Sequence, residues 1–236
     1  MGIEVRDPRI LLPPEAVQGK RITKVSRWGK YLLLEFEEGG CLALHLGMTG
    51  QLFFEGDKPP LKYERVRFVL SSGYLVFCDQ RRFGKVLVCE SKEGFLARLG
   101  VDPLSEAYTF EAFRALLQGK RRLKDFLLDQ KKICGIGNIY ASEILFRARL
   151  HPERPCESLT EEEKRQLFLA IPQLLEEAIR RKGTTIRDFR LPGGEEGDFQ
   201  NALRVYGESR CASCGGPIVR KVISSRSTYF CPHCQK

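Results

Sequence analysis

Cys211-Ala212-Ser213-Cys214 is followed by sixteen residues and then by Cys231-Pro232-His233-Cys234. Two Cys-x-x-Cys knuckles at this separation are the ligand pattern of a tetrahedral four-thiolate zinc site, which leaves no open position for catalysis. Between the knuckles, Ile218–Ile223 and Ser227–Phe230 read as two short strands, with Ser224-Ser225-Arg226 as their turn. The expected unit is a hairpin clamped at its base by one structural Zn2+ and carrying Arg226 at its tip. Two disulfides are the alternative, and the lack of a signal-peptide pattern in the first residues weighs against them. A structural zinc makes the hairpin rigid; what Arg226 touches has to come from the rest of the chain.

The 236 residues are 42% hydrophobic and 29% charged, as in globular proteins, and carry a formal net charge of +9. An excess of cations favours a polyanionic partner, because each Lys or Arg set against a phosphate releases a condensed counterion. A merely basic surface is the plainer explanation of charge alone. No apolar run is long enough to span a membrane. Cys41, Cys78, Cys89, Cys134 and Cys156 are scattered, mostly in apolar runs, which fits core packing in a reducing compartment such as the cytoplasm.

From Ile22 to Val88 short apolar runs alternate with turn residues, predicting strands at Ile22–Val25, Tyr31–Phe36, Cys41–Leu46, Gln51–Phe54, Arg65–Leu70, Tyr74–Phe77 and Lys85–Val88. Strands so short and evenly spaced indicate a sandwich or barrel. Three polar clusters interrupt them: Arg27-Trp28-Gly29-Lys30, His45-Leu46-Gly47-Met48-Thr49-Gly50, and Asp79-Gln80-Arg81-Arg82-Phe83-Gly84. Singly, Lys30 reads as a strand-end charge, Met48 as core filler and Phe83 as a cover on an apolar edge. Together they place apolar wedges beside cations on loops, which suits a protein that fills a hole in stacked DNA.

Residues 91–107 contain Asp102-Pro103 and lack periodicity, so they read as a linker. Helices are predicted at Phe110–Leu117, Asp125–Lys132 behind the basic run Lys120-Arg121-Arg122-Leu123-Lys124, and Ile139–Arg149 after the turn Gly135-Ile136-Gly137-Asn138. Asn138 sits where an N-cap belongs, and such a helix start also binds anions. Thr160 and Glu163 form a capping box that opens a helix to Lys182, with a kink expected at Pro172. The glycine-rich stretch Leu191–Asp198 reads as a connector or a mobile lid.

These segments, with Ile139-Tyr140-Ala141-Ser142-Glu143 and Val205-Tyr206-Gly207, resemble the formamidopyrimidine-DNA glycosylase/endonuclease VIII family of bifunctional base-excision repair enzymes. The resemblance implies an α+β protein of two domains: an N-terminal β-sandwich over 1–90, then, past the linker, a helix–two-turn–helix domain over 108–203 with a zinc-finger hairpin over 204–236. It implies a monomer in the bacterial cytoplasm, acting on nucleoid double-stranded DNA that contains an oxidised base or abasic site. Lys30 then resembles the family's lyase lysine, and Arg226 the finger-tip arginine, catalytic and phosphate-bound. Asn138, with Lys120 and Lys124, resembles the phosphate grip, and Met48, Arg81 and Phe83 the triad that fills the gap left by an extruded base. That triad points to oxidised purines, 8-oxoguanine and formamidopyrimidines, excised through an imine.

Two positions depart from the pattern. Tyr63 stands where the family has a DNA-contacting histidine. The family also opens, after its initiator methionine, with Pro-Glu at the head of a helix, where the proline amine attacks the sugar and the glutamate handles protons. This sequence opens Met1-Gly2-Ile3-Glu4-Val5-Arg6, which resembles the middle of the family's first strand. The expectation is a chain without the family's beginning, whose complete form is a DNA glycosylase with AP lyase activity. The alternative is a catalytically silent lesion- or abasic-site-binding protein. Lys30, which matters chiefly to chemistry, favours the former. A zinc-ribbon transcription factor would explain the tail and none of the sandwich clusters.

Overall fold

The computed structural model describes residues 1–10, 12–54, 61–186 and 195–236. It divides into two units, 1–98 with 185–197, and 99–184 with 198–236. The predicted break over 56–60 and the first four residues of the Leu191–Asp198 stretch lie outside the described residues.

The first unit is two antiparallel four-stranded sheets. One runs β1 (Gly2–Val5), β6 (Glu64–Leu70), β7 (Gly73–Asp79), β5 (Gly50–Phe53). The other runs β2 (Ile22–Trp28), β3 (Tyr31–Phe36), β4 (Cys41–His45), β8 (Lys85–Cys89). Alternation decides the faces: Leu34, Phe36, Leu42, Leu44 and Val86 from one sheet meet Val66, Phe68 and Phe77 from the other in a common buried core. The strands follow the predicted runs, but β2 extends three residues further, to Trp28, and so carries the chain directly into the Gly29-Lys30 turn.

The stretch predicted as a linker is divided between the units. Its α1 (Lys92–Leu96) is capped by Ser91 Oγ, which accepts from Gly94 N at 3.0 Å, and it buries Phe95 edge-on against Tyr31 with ring centres 5.0 Å apart. From Leu99 the chain belongs to the second unit, where Gly100 N donates to Gln130 O at 2.8 Å.

The second unit is built on α2 (Phe110–Leu116), α3 (Leu123–Leu128), α4 (Asn138–Arg147) and α5 (Glu161–Arg180). The α5 stripe Leu167, Ala170, Ile171, Leu174 and Ala178 recurs at helical spacing and packs with Ala141, Ile144 and Leu145 of α4 and Leu123, Phe126 and Leu127 of α3. The Thr160–Glu163 capping box closes in both directions. α5 runs unbroken through Pro172, whose missing N–H leaves the Phe168 carbonyl without its helical donor; Tyr108 Oη donates to that carbonyl at 3.2 Å instead.

The zinc-finger hairpin, β9 (Val219–Ile223) and β10 (Arg226–Phe230), is part of this unit and not a separate body. Gln235 Nε2 donates to Leu150 O at 2.8 Å, His151 N to Lys236 O at 2.8 Å, and the His151 and Phe230 rings meet edge-on at 4.6 Å.

Candidate functional site

Lys30 occupies the second position of the two-residue β2–β3 turn, after Gly29 at φ 57°, with Trp28 and Tyr31 paired across its base. A positive φ at the first turn position favours glycine and lets the strands keep their twist. Lys30 is exposed beside His45, whose imidazole is held below its ordinary range by burial and then by the charges of Lys30 and Lys85. His45 is therefore neutral at pH 7, and its Nδ1 accepts from Gly47 N at 3.0 Å.

Met48 and Phe83 are each more than half exposed. The exposed Arg81 guanidinium lies 5.0 Å from the centre of the Phe83 ring. Two loops distant in sequence bring these three together. Gly47 has φ 65°, and a Cβ there would lie 2.8 Å from Gly84 N and from Phe83 C, so only glycine lets the backbones touch. Beneath them the buried Asp79 carboxylate accepts from Thr49 Oγ1, from Arg81 N at 3.2 Å and from Gly84 N at 2.7 Å. Arg82 has φ 59°, and its Nε lies 3.6 Å from the buried Asp7 carboxylate. Burial raises Asp7, but the Arg9 amide and the Arg82 and Arg9 charges outweigh it and leave Asp7 below its ordinary value. Tyr63 ends a short 3-10 turn before β6, with Lys62 Nζ 5.7 Å from its ring centre.

In the second unit Lys124, Asn138 and the Arg226 end of the hairpin converge, with two corrections to their local roles. Asn138 is not the cap of α4. Gly137, in extended conformation, holds that position, and Asn138 is the first helical residue. Its Nδ2 instead donates to Ser227 O of the hairpin at 2.8 Å, while its buried Oδ1 has no hydrogen-bond partner among the described residues. Lys124 does not stand on an exposed basic run, because the helix begins at Leu123 and turns it inward to full burial. Its Nζ donates to Ser142 Oγ at 2.8 Å and to Asn138 O at 3.0 Å. Burial, and then the nearby Arg226 charge, bring its ammonium down to about 7. Lys120 is exposed ahead of α3.

Arg226 is the exposed first residue of β10, directly after Ser224 and Ser225 at φ 48° and 60°. Two non-glycine residues in left-handed backbone are strained, and side chains from α3 and the residue before it help to hold them. Ser224 Oγ donates to Asp125 Oδ1 at 2.6 Å and accepts from Arg122 Nη2 at 2.8 Å. One turn further along α4 from Tyr140, the buried Glu143 carboxylate accepts from the amides of Arg204, Val205 and Tyr206 at 2.8–3.0 Å. Burial raises Glu143, and those three bonds counteract it.

The four knuckle cysteines place their sulfurs within 4.8 Å of one another, with Cys211–Cys234 at 3.8 Å and Cys214–Cys231 at 3.6 Å. Tetrahedral zinc with thiolate arms of ordinary length needs sulfurs about 3.8 Å apart, so the set fits Zn2+.

The low Lys124 value carries a consequence for stability. The folded chain holds fewer protons than the unfolded chain between about 7 and the ordinary lysine value of 10.5, so this residue makes stability rise with pH across that window. Its full penalty applies below pH 7. With zinc saturating, the thermal midpoint is expected to rise from pH 7 to 9, and Lys124→Met to flatten that rise. A parallel profile in the variant would count against a depressed Lys124.

The sequence alone does not single out Asp7, Thr49, Asp79, Ser142 or Glu143. Asp79-Gln80-Arg81 and Asp7-Pro8-Arg9 did carry a signal, an Asp whose side chain accepts from the amide two residues on. Glu143 carried none, since its partners lie more than sixty residues away.

Residues 2–86 match the formamidopyrimidine-DNA glycosylase N-terminal domain, 99–190 the formamidopyrimidine-DNA glycosylase H2TH domain, and 208–236 the zinc finger found in FPG and IleRS. The chain is 42% identical over 250 residues to a formamidopyrimidine-DNA glycosylase of Pelotomaculum thermopropionicum, covering 100% of this chain and 91% of that one. It is 44% identical to that of Thermus thermophilus, covering 98% and 88%. The crystal structure of the MutM (FPG) protein from Thermus thermophilus superposes with a TM-score of 0.87 at 44% identity, covering 99% of this chain and 90% of that one. The complex between Lactococcus lactis Fpg and an abasic site containing DNA gives a TM-score of 0.86 at 32% identity, covering 100% and 91%.

Proposed function

Because the chain belongs to the formamidopyrimidine-DNA glycosylase family, we propose that it is a base-excision repair DNA glycosylase with AP lyase activity, excising oxidised purines from duplex DNA in the bacterial cytoplasm. The observation that carries the reading is the wedge of Met48, Arg81 and Phe83, two apolar side chains exposed beside a guanidinium on loops held together by one buried carboxylate. Extruding a nucleotide costs a few kcal/mol of unstacking, which side chains inserted into the gap partly offset. Arg81 has the donors to read an orphaned cytosine, and Phe83 has the flat face to hold the stack open.

The second unit supplies the grip. Phosphate contacts carry no sequence information, as a lesion scanner requires, and Arg226, Lys120, the first amides of α4 and the second N–H of Asn138 Nδ2 are donors of that kind. Lys124, poised near neutrality, gains charge as a phosphate approaches. Zn2+ held by Cys211, Cys214, Cys231 and Cys234 would supply rigidity to the hairpin that presents Arg226.

Lys30 is assigned to the lyase step, in which an imine between an amine and the sugar is resolved by elimination. Borohydride trapping on duplex with 8-oxoguanine opposite cytosine tests the reading. A covalent protein–DNA adduct is expected, and peptide mapping then identifies the amine. Tight binding of abasic-site duplex with no adduct would overturn the lyase assignment and leave a lesion-binding protein.

A further inference from the structure

The Asp79 carboxylate does more than close a turn. Its Oδ1 takes the Thr49 hydroxyl and the Arg81 amide, and its Oδ2 takes the Gly84 amide. Those donors adjoin all three probes: Thr49 follows Met48, Arg81 is itself one, and Gly84 follows Phe83. Thr49 Oγ1 closes the circuit by accepting from Arg81 N at 3.0 Å, so one hydroxyl bridges two loops thirty-two positions apart. The backbones between these bonds are in contact. A Cβ on Gly47 would lie 2.8 Å from Gly84 N, and one on Gly84 would lie 2.4 Å from Phe77 Cζ and 2.9 Å from His45 O, so the loops pack backbone on backbone with no space between them. Below, Arg65 Nε donates to Asp79 O at 2.7 Å and fixes the residue from its main chain.

We propose that Asp79, bridged by Thr49, is the positioning residue that sets Met48, Arg81 and Phe83 as one preorganised wedge, and thereby governs how well the protein distinguishes a gapped stack from an intact one and cytosine from adenine across the gap. The inference rests on the function proposed above. Asp79 touches no DNA in this account; it acts through the two loops. A wedge assembled before contact spends no binding energy on ordering its loops, so the advantage falls on damaged duplex, where all three probes are engaged. Undamaged duplex, held through phosphates alone, gains nothing from it.

The substitutions follow from donor and acceptor chemistry. In Asp79→Asn, the amide NH2 meets a backbone N–H in either orientation, Arg81 N in one and Gly84 N in the other. Thr49→Val keeps the shape and removes the bridge, and Thr49→Ser keeps the hydroxyl. Affinities are measured for duplexes with a tetrahydrofuran abasic analogue opposite cytosine, the same analogue opposite adenine, and no damage. For Asp79→Asn and Thr49→Val the preference for damaged duplex is expected to fall about tenfold or more, as loss of a buried hydrogen bond implies. Discrimination between cytosine and adenine is expected to flatten, with undamaged affinity unchanged. Thr49→Ser is expected to keep both preferences.

A merely structural role would lower the thermal midpoint, or all three affinities together, without moving the cytosine-to-adenine ratio. Retention of both preferences in a folded Thr49→Val variant would overturn the proposal, and that variant carries the test even where Asp79→Asn fails to fold. Absence of any damaged-duplex preference in the unsubstituted protein would instead sink the underlying function.

Discussion

Replacing Cys214 with serine is expected to weaken binding to abasic-site duplex by about a hundredfold and to release the zinc, because structural zinc is worth about 10 kcal/mol or more to folding of a module this small. The hairpin has almost no core of its own. Ile223, Thr228 and Phe230 are its buried strand residues, and a two-stranded ribbon is marginal in water without further support. The helical domain does hold its base, through Gln235 on Leu150 O and the Lys236 backbone on Arg149 and His151. Those contacts follow the last knuckle, and the tip has side-chain bonds of its own, Ser224 with Asp125 and Arg122 and Asn138 on Ser227 O, so loss of the metal frees the two knuckles from each other and loosens the strands between these anchors. The strained Ser224-Ser225 turn is then left to its bonds with Asp125 and Arg122, without a rigid ribbon behind it, and Arg226 loses its fixed place beside Lys124 and Asn138. The check is zinc content per chain alongside equilibrium binding. Unchanged affinity in zinc-free protein would remove the finger from the interface.

Arg226→Ala is expected to weaken binding of the same duplex by about tenfold at physiological salt and to reduce the slope of log K against log salt by about 0.9, the share of one phosphate contact. The variant has a second signature. Arg226 helps to hold the Lys124 ammonium near neutrality, so its removal raises Lys124 and shifts the pH dependence of binding upward. Lys124 then recovers part of the lost attraction, so the loss in Arg226→Ala combined with Lys124→Met should differ from the sum of the two singles. An unaltered salt slope would show that Arg226 meets no phosphate.

How far the chain could be read from sequence depends on the range of the interaction involved. The sandwich strands were legible because alternation is local and one face of each sheet is buried, and Tyr31–Phe36 falls where the pattern put it. The zinc set was legible because ligand spacing within each knuckle is fixed by the metal. The capping box was legible within four residues. Asn138 lies on the expected turn but not at the cap, since Gly137 takes that position and the amide turns to Ser227, eighty-nine residues away. The sequence places Lys124 in a basic run with Lys120, Arg121 and Arg122, which says nothing of its burial. Only the helix start at Leu123, with its apolar partners Phe126 and Leu127, turns it inward. Asp79 and Thr49 escaped for a related reason: what they hold together is a pair of loops, and no periodicity records which loops meet.

Recognition of a nucleotide missing from the stack is measured by equilibrium binding to a pair of duplexes. One duplex carries a tetrahydrofuran abasic analogue opposite cytosine, the other is identical but undamaged, and both are measured at one fixed salt concentration. A preference of about a hundredfold or more for the damaged duplex is expected, from the contacts that only an opened stack allows. Equal affinity for the two would reduce the protein to a basic, zinc-stapled duplex binder and contradict the assignment of Met48, Arg81 and Phe83.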